Sequence, residues 1–338
     1  MTKQDLIRNI GLMYPYKPIK LISNVDRYGF SDILSEQIAL SITPRSFANW
    51  LHGWSWWKVI SSTELIFDRT QKQWERAIVS NHYEKEILRS EGFKNIWVGG
   101  LPFAYTPPSN FERKLDSLLA MPPHSAENEK IRRPYLEYLD YLESIKNNYS
   151  TVCVSIFHLD KNIDLVAEIE KRGLMFIDGA RPDDGNSLRR MRAIFDSFEY
   201  VTSNTIGSHI IYAIYCGCKT SFCGPMYVYD ESLFRHKDSK TKHSYEYIQN
   251  SLNYLSINYL LKHYSFLFAA TPKDGFLSRD YGKYEIGYFN KMSNKDIMDA
   301  LRWGWLNQIS GYSSGAIRRM NRTLNLARNK FTMEETLR

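Results

Sequence analysis

Tyr200-Val201-Thr202-Ser203-Asn204-Thr205-Ile206-Gly207-Ser208-His209 is the stretch whose reading decides the fold. An apolar run suited to a strand ends at Thr202. Helical spacing begins near Gly207 and continues to residue 216, and 219–222 reads as the next short strand. Strand, loop, helix and strand in this order is the repeat of a parallel sheet, whose strands need a crossover to return the chain. The loop between is rich in small hydroxyl and amide side chains. A helix start offers free N–H groups and partial positive charge, which suits phosphate. Gly207 permits close backbone approach. Ser203, Asn204, Thr205 and Ser208 add neutral donors, and His209 a charged one. Simple N-capping by Ser203, Asn204 or Thr205 uses the same geometry, and both readings stay open.

The same alternation extends on both sides. Upstream, the spacing predicts strands at 117–121, 152–157 and 174–177, with helices at 133–147, 163–172 and 186–196. The first of these helices carries Leu136, Leu139, Leu142 and Ile145 on one stripe. Further upstream, 19–23 is a short apolar run and 30–41 a helix. Strands are expected at 46–51, 65–67, 77–80 and 95–98. Asn81 reads as the cap of a helix over 82–90, which Gly92 ends. Downstream, 244–262 is a tyrosine-rich helix and 265–270 a last strand. Thr106-Pro107-Pro108-Ser109-Asn110 blocks both helix and central strand and is the best linker in the chain. The expected fold class is therefore α/β, with two Rossmann-like domains facing a central cleft. The divisions fall at 1–110, 111–300 and a basic helical tail, 301–338. Ligands in such sheets bind beyond the carboxyl ends of the strands.

Composition agrees. Of 338 residues, 43% are hydrophobic and 24% charged, which excludes a disordered chain and allows about two domains. No run of about 18 apolar residues is present, so no membrane span is expected. Residues 1–5 lack the apolar run of a signal peptide, so a cytoplasmic protein is expected. Cys153, Cys216, Cys218 and Cys223 sit in apolar or glycine-rich stretches and read as buried, reduced thiols. The spacing of the last three matches no common zinc pattern, so no metal is expected. The net charge of +7 favours an acidic partner: a nucleotide-activated substrate, an anionic membrane surface or nucleic acid.

Other loops after strands hold further chemistry. Asp178 follows its strand directly, as a nucleophile or general base would, whereas Asp183 and Asp184 look like turn and helix-start charges. His124, with Ser125 in a proline turn, suits a phosphate contact or proton transfer, or simply the turn. In the first half, Asp26 and Arg27 are expected to face the cleft. Trp50, Trp54, Trp56 and Trp57 surround His52 at a strand end. Flat rings there suit sugar stacking, and a core or interface cluster is the equal alternative. Ile317, Met320, Leu324, Ala327 and Phe331 recur at helical spacing among Arg318, Arg319, Arg322, Arg328 and Lys330. Such a basic amphipathic helix lies on an anionic membrane or packs on its own domain.

The pattern Ser203-x-Thr205-x-Gly207, Ala213, Gly217 and Gly224-Pro225-x-Tyr227 resembles the GT-B glycosyltransferases of bacterial capsule and O-antigen synthesis. Within these it resembles the transferases that use CMP-activated ulosonic acids, the β-Kdo transferases and, more distantly, bacterial sialyltransferases. Trp50-Leu51-His52-Gly53-Trp54 and the turn 98–103 fit surface-polysaccharide transferases generally. The resemblance implies a nucleotide-sugar donor, CMP-linked, in the second domain and a glycan or glycolipid acceptor in the first. It implies no other cofactor and no metal. Donor contacts would come from His124, Ser125, Ser203, Asn204, Thr205, Gly207, Ser208 and His209, and acceptor contacts from Asp26, Arg27 and Trp54. Asp178, with Asp184 second, would be the nucleophile and His52 a further catalytic group. Arg181 or Arg27 would hold the donor carboxylate. The tail would make peripheral contact with the inner membrane. The alternatives are a GT-B enzyme using UDP- or GDP-sugars, a noncatalytic glycan-binding protein, or a nucleic-acid-binding protein. The aromatics do not alternate with Lys and Arg along strands, so nucleic acid is not an expected partner.

Overall fold

The computed structural model describes residues 3–66, 76–125, 135–229, 231, 245–306, 308 and 309. Two parallel sheets organise the chain. The first has strands β1 (Ala48–Trp50), β2 (Arg76–Val79) and β3 (Asn95–Val98), in that order. The second has β4 (Lys114–Ala120), β5 (Thr151–Ile156), β6 (Met175–Asp178), β7 (Phe198–Ser203) and β8 (Lys219–Phe222), ordered β6-β5-β4-β7-β8. The chain moves outward from β4 to β6, then jumps back beside β4 to start β7. The strand order therefore reverses between β4 and β7, the place where a crevice opens in such sheets.

This jump also splits the helices between the two faces. α4 (Tyr135–Ile145) and α5 (Ile163–Lys171) bury Tyr138, Leu139, Leu142 and Ile169 against Leu118, Ala120, Val152 and Val154. α6 (Ser187–Ser197) and α7 (Ser208–Cys216) bury Ile194, Phe195, Ile210 and Ile214 on the opposite face, with Leu119, Cys153 and Val201. Neighbours such as Leu118 and Leu119 serve opposite faces because strand side chains alternate, and both are fully buried. The second core continues into the first unit, where Phe103 stacks on Tyr212 at 4.3 Å and Phe30 meets Trp50 edge-on at 4.8 Å.

In the first unit, α2 (Phe30–Gln37) precedes β1, and α3 (His82–Ser90) joins β2 to β3. Asn81 caps α3 through its side-chain oxygen, which accepts from Glu84 N at 2.9 Å, a bond worth about 1 kcal/mol. Beyond β8 come α8 (Tyr245–Leu255), α9 (Ile257–Tyr264), α10 (Arg279–Glu285) and α11 (Asn294–Leu301).

Several expectations change. The helix expected over 244–262 is two helices, because Ser256 starts a new one and accepts from Tyr259 N. No strand forms at 265–270. Ser265–Leu267 is a 3-10 turn, and Phe268 makes one bridge to Phe222 before Pro272 intervenes. Residues 19–23 and 65–66 are not strands, whereas Phe67 lies outside the described residues. Leu136 is exposed, and Tyr138 takes its place on the buried stripe.

The divisions at 110 and 300 are crossed at both ends. α1 (Lys3–Met13) packs on α6 of the second unit, where Arg190 donates to the Tyr14 carbonyl at 3.0 Å. Residues 286–308 return to the first unit. Leu101 N donates to Ile286 O at 2.9 Å, Phe47 N to Leu301 O at 3.1 Å, and Trp303 Nε1 to Ser46 Oγ at 3.1 Å. The expected basic helix beyond residue 310 lies outside the described residues. No described helix is long and apolar enough to cross a membrane.

Candidate functional site

The carboxyl ends of the two sheets meet at one seam. β7 ends in the 203–209 loop and β4 in the 121–125 loop, the two loops at the reversal of strand order. Ser203 ties them together, its Oγ lying 2.6 Å from the Met121 carbonyl. The same hydroxyl stands 2.9 Å from Thr205 O and 3.1 Å from His209 Nε2, so Ser203 fastens the loop internally. Thr205 Oγ1 pairs with Tyr229 OH at 2.7 Å. Asn204 donates to Pro225 O at 3.1 Å, while its buried side-chain oxygen has no partner among the described residues.

These bonds leave the start of α7 without a side-chain cap. Its N-cap is Gly207, in extended backbone. A Cβ there would stand 3.0 Å from His209 Nδ1, so the imidazole would have to give by a few tenths of an ångström to admit one. The charged donor expected at His209 is absent. Burial, with His124 adding, pushes its pKa down to about 3, so the ring is neutral at pH 7. His124 itself is exposed, with Nδ1 3.0 Å from Ser125 O. Ser125 is buried, and its N–H donates to Asp160 at 2.8 Å.

The opposite wall comes from the first sheet. Trp54 N donates to Ser208 Oγ at 2.9 Å, and Tyr212 OH to the His52 carbonyl at 2.9 Å. His52 Nε2 sits against the Asn24 carbonyl. Burial, with Arg27 adding, holds the His52 pKa down to about 4. The neutral ring must donate from Nε2 to that carbonyl, which leaves Nδ1 an acceptor, buried and without a partner among the described residues. Arg27 is half-buried beside it.

The remaining acceptor residues differ from expectation. Trp54 is 5% exposed and donates Nε1 to Glu285 at 2.8 Å, so its faces are not free for a sugar. Trp56 and Trp57 are the half-buried rings, with Trp57 stacked on Tyr254 at 5.7 Å. Asp26 accepts from Ile22 N and Ser23 N at 2.9 and 2.7 Å and closes the turn that starts the 24–29 loop.

The two aspartates expected as nucleophile lie elsewhere. Asp178 ends the edge strand β6, two strands and about 10 Å from β4. Its side chain is 59% exposed and pairs with Lys161 at 2.7 Å. It faces a groove of about 880 Å³ between α1 and β6, lined also by His158, Arg181 and Tyr16, and none of the 203–209 residues reach this groove. Asp184 is fully buried. One oxygen accepts from Lys17 N and Asn186 N, and the other takes Arg190 at 2.5 Å. A carboxylate so buried and so bonded holds the chain together and is closed off from a substrate. Arg181, expected to hold a donor carboxylate, is bound by both oxygens of Asp183 at 2.6 and 3.0 Å and lies over Tyr16. Gly29 shows how tight this fastening is. Its φ is +78°, and a Cβ would stand 1.9 Å from Gly185 O.

Four groups of the seam were not anticipated. Asn24, Tyr28, Tyr212 and Glu285 reach it from separate segments, and only the folded chain brings them in. Tyr28 takes φ +62° so that its N–H can donate to Pro182 O at 2.8 Å. Burial raises the Glu285 pKa. Among the described residues, no group of three or more His, Cys, Asp or Glu is placed to hold a metal ion. The four cysteines are free and buried, and burial pushes the Cys218 thiol up to about 12.

No family model matches this sequence, and no curated protein matches it. Among solved structures, the chain is similar to TarM at 13% identity and TM-score 0.32, over 82% of this chain and 53% of that one. It thus spans about half the length of TarM. It is also similar to MnaA of S. aureus in a co-structure with UDP, at 12% identity and TM-score 0.36, over 81% of this chain and 85% of that one. The expected α/β class and GT-B-like layout are read from the sheets themselves, two parallel sheets whose strand-end loops face one seam.

Proposed function

We propose that this protein is a glycosyltransferase that draws a sugar from a nucleotide-activated donor. The observation that carries the reading is the uncapped start of α7 at the reversal of strand order, faced by the 52–54 loop of the other sheet. Backbone N–H groups there are oriented in advance toward an anion, and the helix adds partial positive charge. The leaving nucleotide phosphate gathers negative charge as the glycosidic bond to it breaks. Donors already in place stabilise that charge without reorganising. Exposed His124 stands at the same crevice as a further donor. The acceptor would enter along the first-sheet wall. Neutral His52 stands in that wall, and a group with pKa about 4 is a weak base at pH 7.

The donor base is a finer matter. An ulosonic acid carries a carboxylate that wants a cation. With Arg181 committed to Asp183, Arg27 is the remaining candidate of the two. A UDP- or GDP-sugar makes no such demand and offers two phosphates to the helix start, so we place these donors ahead of CMP-linked ones. The test is thermal stabilisation by UDP, GDP and CMP, followed by donor turnover with and without glycan acceptors. A ligand that binds only the folded chain raises its melting temperature. A selective UDP or GDP shift supports this order. A CMP shift restores the ulosonic-acid reading, with Arg27 as its cation. No shift with any nucleotide overturns the transferase reading in favour of a glycan-binding protein.

A further inference from the structure

We infer that the groove between α1 and the edge of β6 is a second binding site, built for a neutral sugar chain. It holds about 880 Å³, inside the range of roughly 300–1,000 Å³ usual for sites that enclose small ligands. Three features of its walls point to a ligand. The first is Gly11, inside α1 and lining the groove. A glycine weakens a helix. Neither packing nor backbone asks for one here, since a Cβ would meet nothing within 4 Å and φ is not in the left-handed region. What the glycine does is widen the groove. The second is the sheet edge. Gly179 N donates to Ile156 O at 2.8 Å, so Met175, Ile177 and Gly179 turn their backbone groups to β5. Phe176 and Asp178 turn theirs outward, to the edge that the groove borders. Such an edge is usually paired or covered, and here α1 stands across the groove from it, so the sheet of a second copy has no room to dock. The third is Tyr16, 47% exposed. Its hydroxyl donates to Asp183 at 3.2 Å, and the Arg181 guanidinium lies over the ring at 4.3 Å, so the ring is fixed before any ligand arrives.

The chemistry of the lining selects the occupant. Its charges cancel. Arg190 meets Asp184, Arg181 meets Asp183 and Lys161 meets Asp178, while Arg8 and Glu170 add one of each sign. Burial, with Arg181 adding, pushes the His158 pKa down, so that ring is neutral as well. No net charge is left to draw an ion. A sugar is neutral, its hydroxyls donate and accept as an open strand edge requires, and its C–H face covers an aromatic ring. Tyr14, Tyr16 and Phe176 supply such rings. Two outward residues make a short ladder for an added peptide strand. The groove also adjoins the seam. The Phe157 ring lies 4.4 Å from His158 of the groove and 4.4 Å from His124 of the crevice. A chain long enough to pass Phe157 reaches both. That it is the far part of the acceptor rests on the transferase reading, whereas its binding in the groove does not.

The experiment adds maltohexaose, cellohexaose or chitohexaose to the full chain. Binding is followed by saturation-transfer NMR and by hydrogen–deuterium exchange. At least one probe is expected to bind, to protect 7–16 and 174–181, and to keep its affinity from low to high salt. Gly11→Phe fills the groove, and Tyr16→Ala removes the fixed ring. Each should weaken binding by about tenfold or more while keeping the melting temperature and the nucleotide shift. Tyr16→Phe should retain most of the binding. The inference is overturned if none of the three probes binds, or if Gly11→Phe binds as well as wild type. Affinity that falls steeply with salt would give the groove to an anion instead. An octathreonine peptide that protects 174–178 where no sugar does would give it to an extended peptide. Sugar binding in the groove with no nucleotide shift would uphold the inference and remove the transferase reading alone.

Discussion

The loops after β6 and β7 look alike in sequence. Each follows a strand at the carboxyl edge of one sheet, and each is dense in polar side chains. In the folded chain they do opposite things. The 178–186 loop is consumed. Asp178 meets Lys161, Asp183 meets Arg181, Asp184 meets Arg190 and two backbone N–H groups, and Gly185 lies against Gly29. The 203–209 loop ties its hydroxyls to Met121 O, Thr205 O, Tyr229 and Trp54 N and leaves a helix start uncapped. What separates them is position in the strand order. β6 is an edge strand, and β7 stands at the reversal beside β4. A polar loop after a strand is thus a weak sign of a ligand until the strand order is known.

That contrast can be broken experimentally. The largest effect belongs to the fastening loop. Asp184→Ala leaves Arg190 buried without its partner and should cost about 3–5 kcal/mol in urea unfolding. The folded fraction should still take up nucleotide. Loss of binding out of proportion to loss of fold would bring Asp184 back into the site.

The half-buried histidines of the seam come next. His52 and His209 have folded pKa values of about 4 and 3, below the unfolded value near 6.5. Their contribution is whole above about pH 6.5 and is lost as pH falls toward 4 and 3. Each should steepen the loss of stability by about 1.4 kcal/mol per pH unit in that window. Equilibrium unfolding between pH 7 and 4.5, repeated with His209→Gln, should show one such slope removed. An unchanged slope would mean that the ring takes up its proton in the folded chain.

Ser208→Asp is a smaller but sharper test. An acid in the first turn favours the helix and repels a phosphate, so stability should hold or rise while nucleotide binding weakens about tenfold. A calorimetric titration that shows unchanged affinity would move the phosphate away from α7. The smallest effect is Asp178→Asn. An exposed pair contributes under about 1 kcal/mol, and neither stability nor turnover should change much. Abolished turnover would instead return the nucleophile to the edge strand.

Local chemistry made much of the fold legible. α3 has the bounds that the Asn81 cap and Gly92 imply, and β8 and α7 follow their apolar spacing. The failures share a cause, which is that the deciding contact is distant. Nothing near Phe268 says that the chain will touch β8 once and turn away. The return of 286–308 to the first sheet depends on Gly100, Phe47 and Ser46, about two hundred residues or more away in sequence. The site divided along the same line. The 203–209 loop was legible because a helix start is a local feature. The partners of Asp184 and the burial of Trp54 were not, since Lys17 and Glu285 reach them from the far ends of the chain.

Hydrogen–deuterium exchange with and without the nucleotide that stabilises the protein compares the two loops in one measurement. Protection confined to the start of α7 at 203–210 and to the facing 52–54 loop is the result predicted. Protection at 156–181 beside β6, with 203–210 unchanged, would contradict the account and put the ligand in the groove that Asp178 faces.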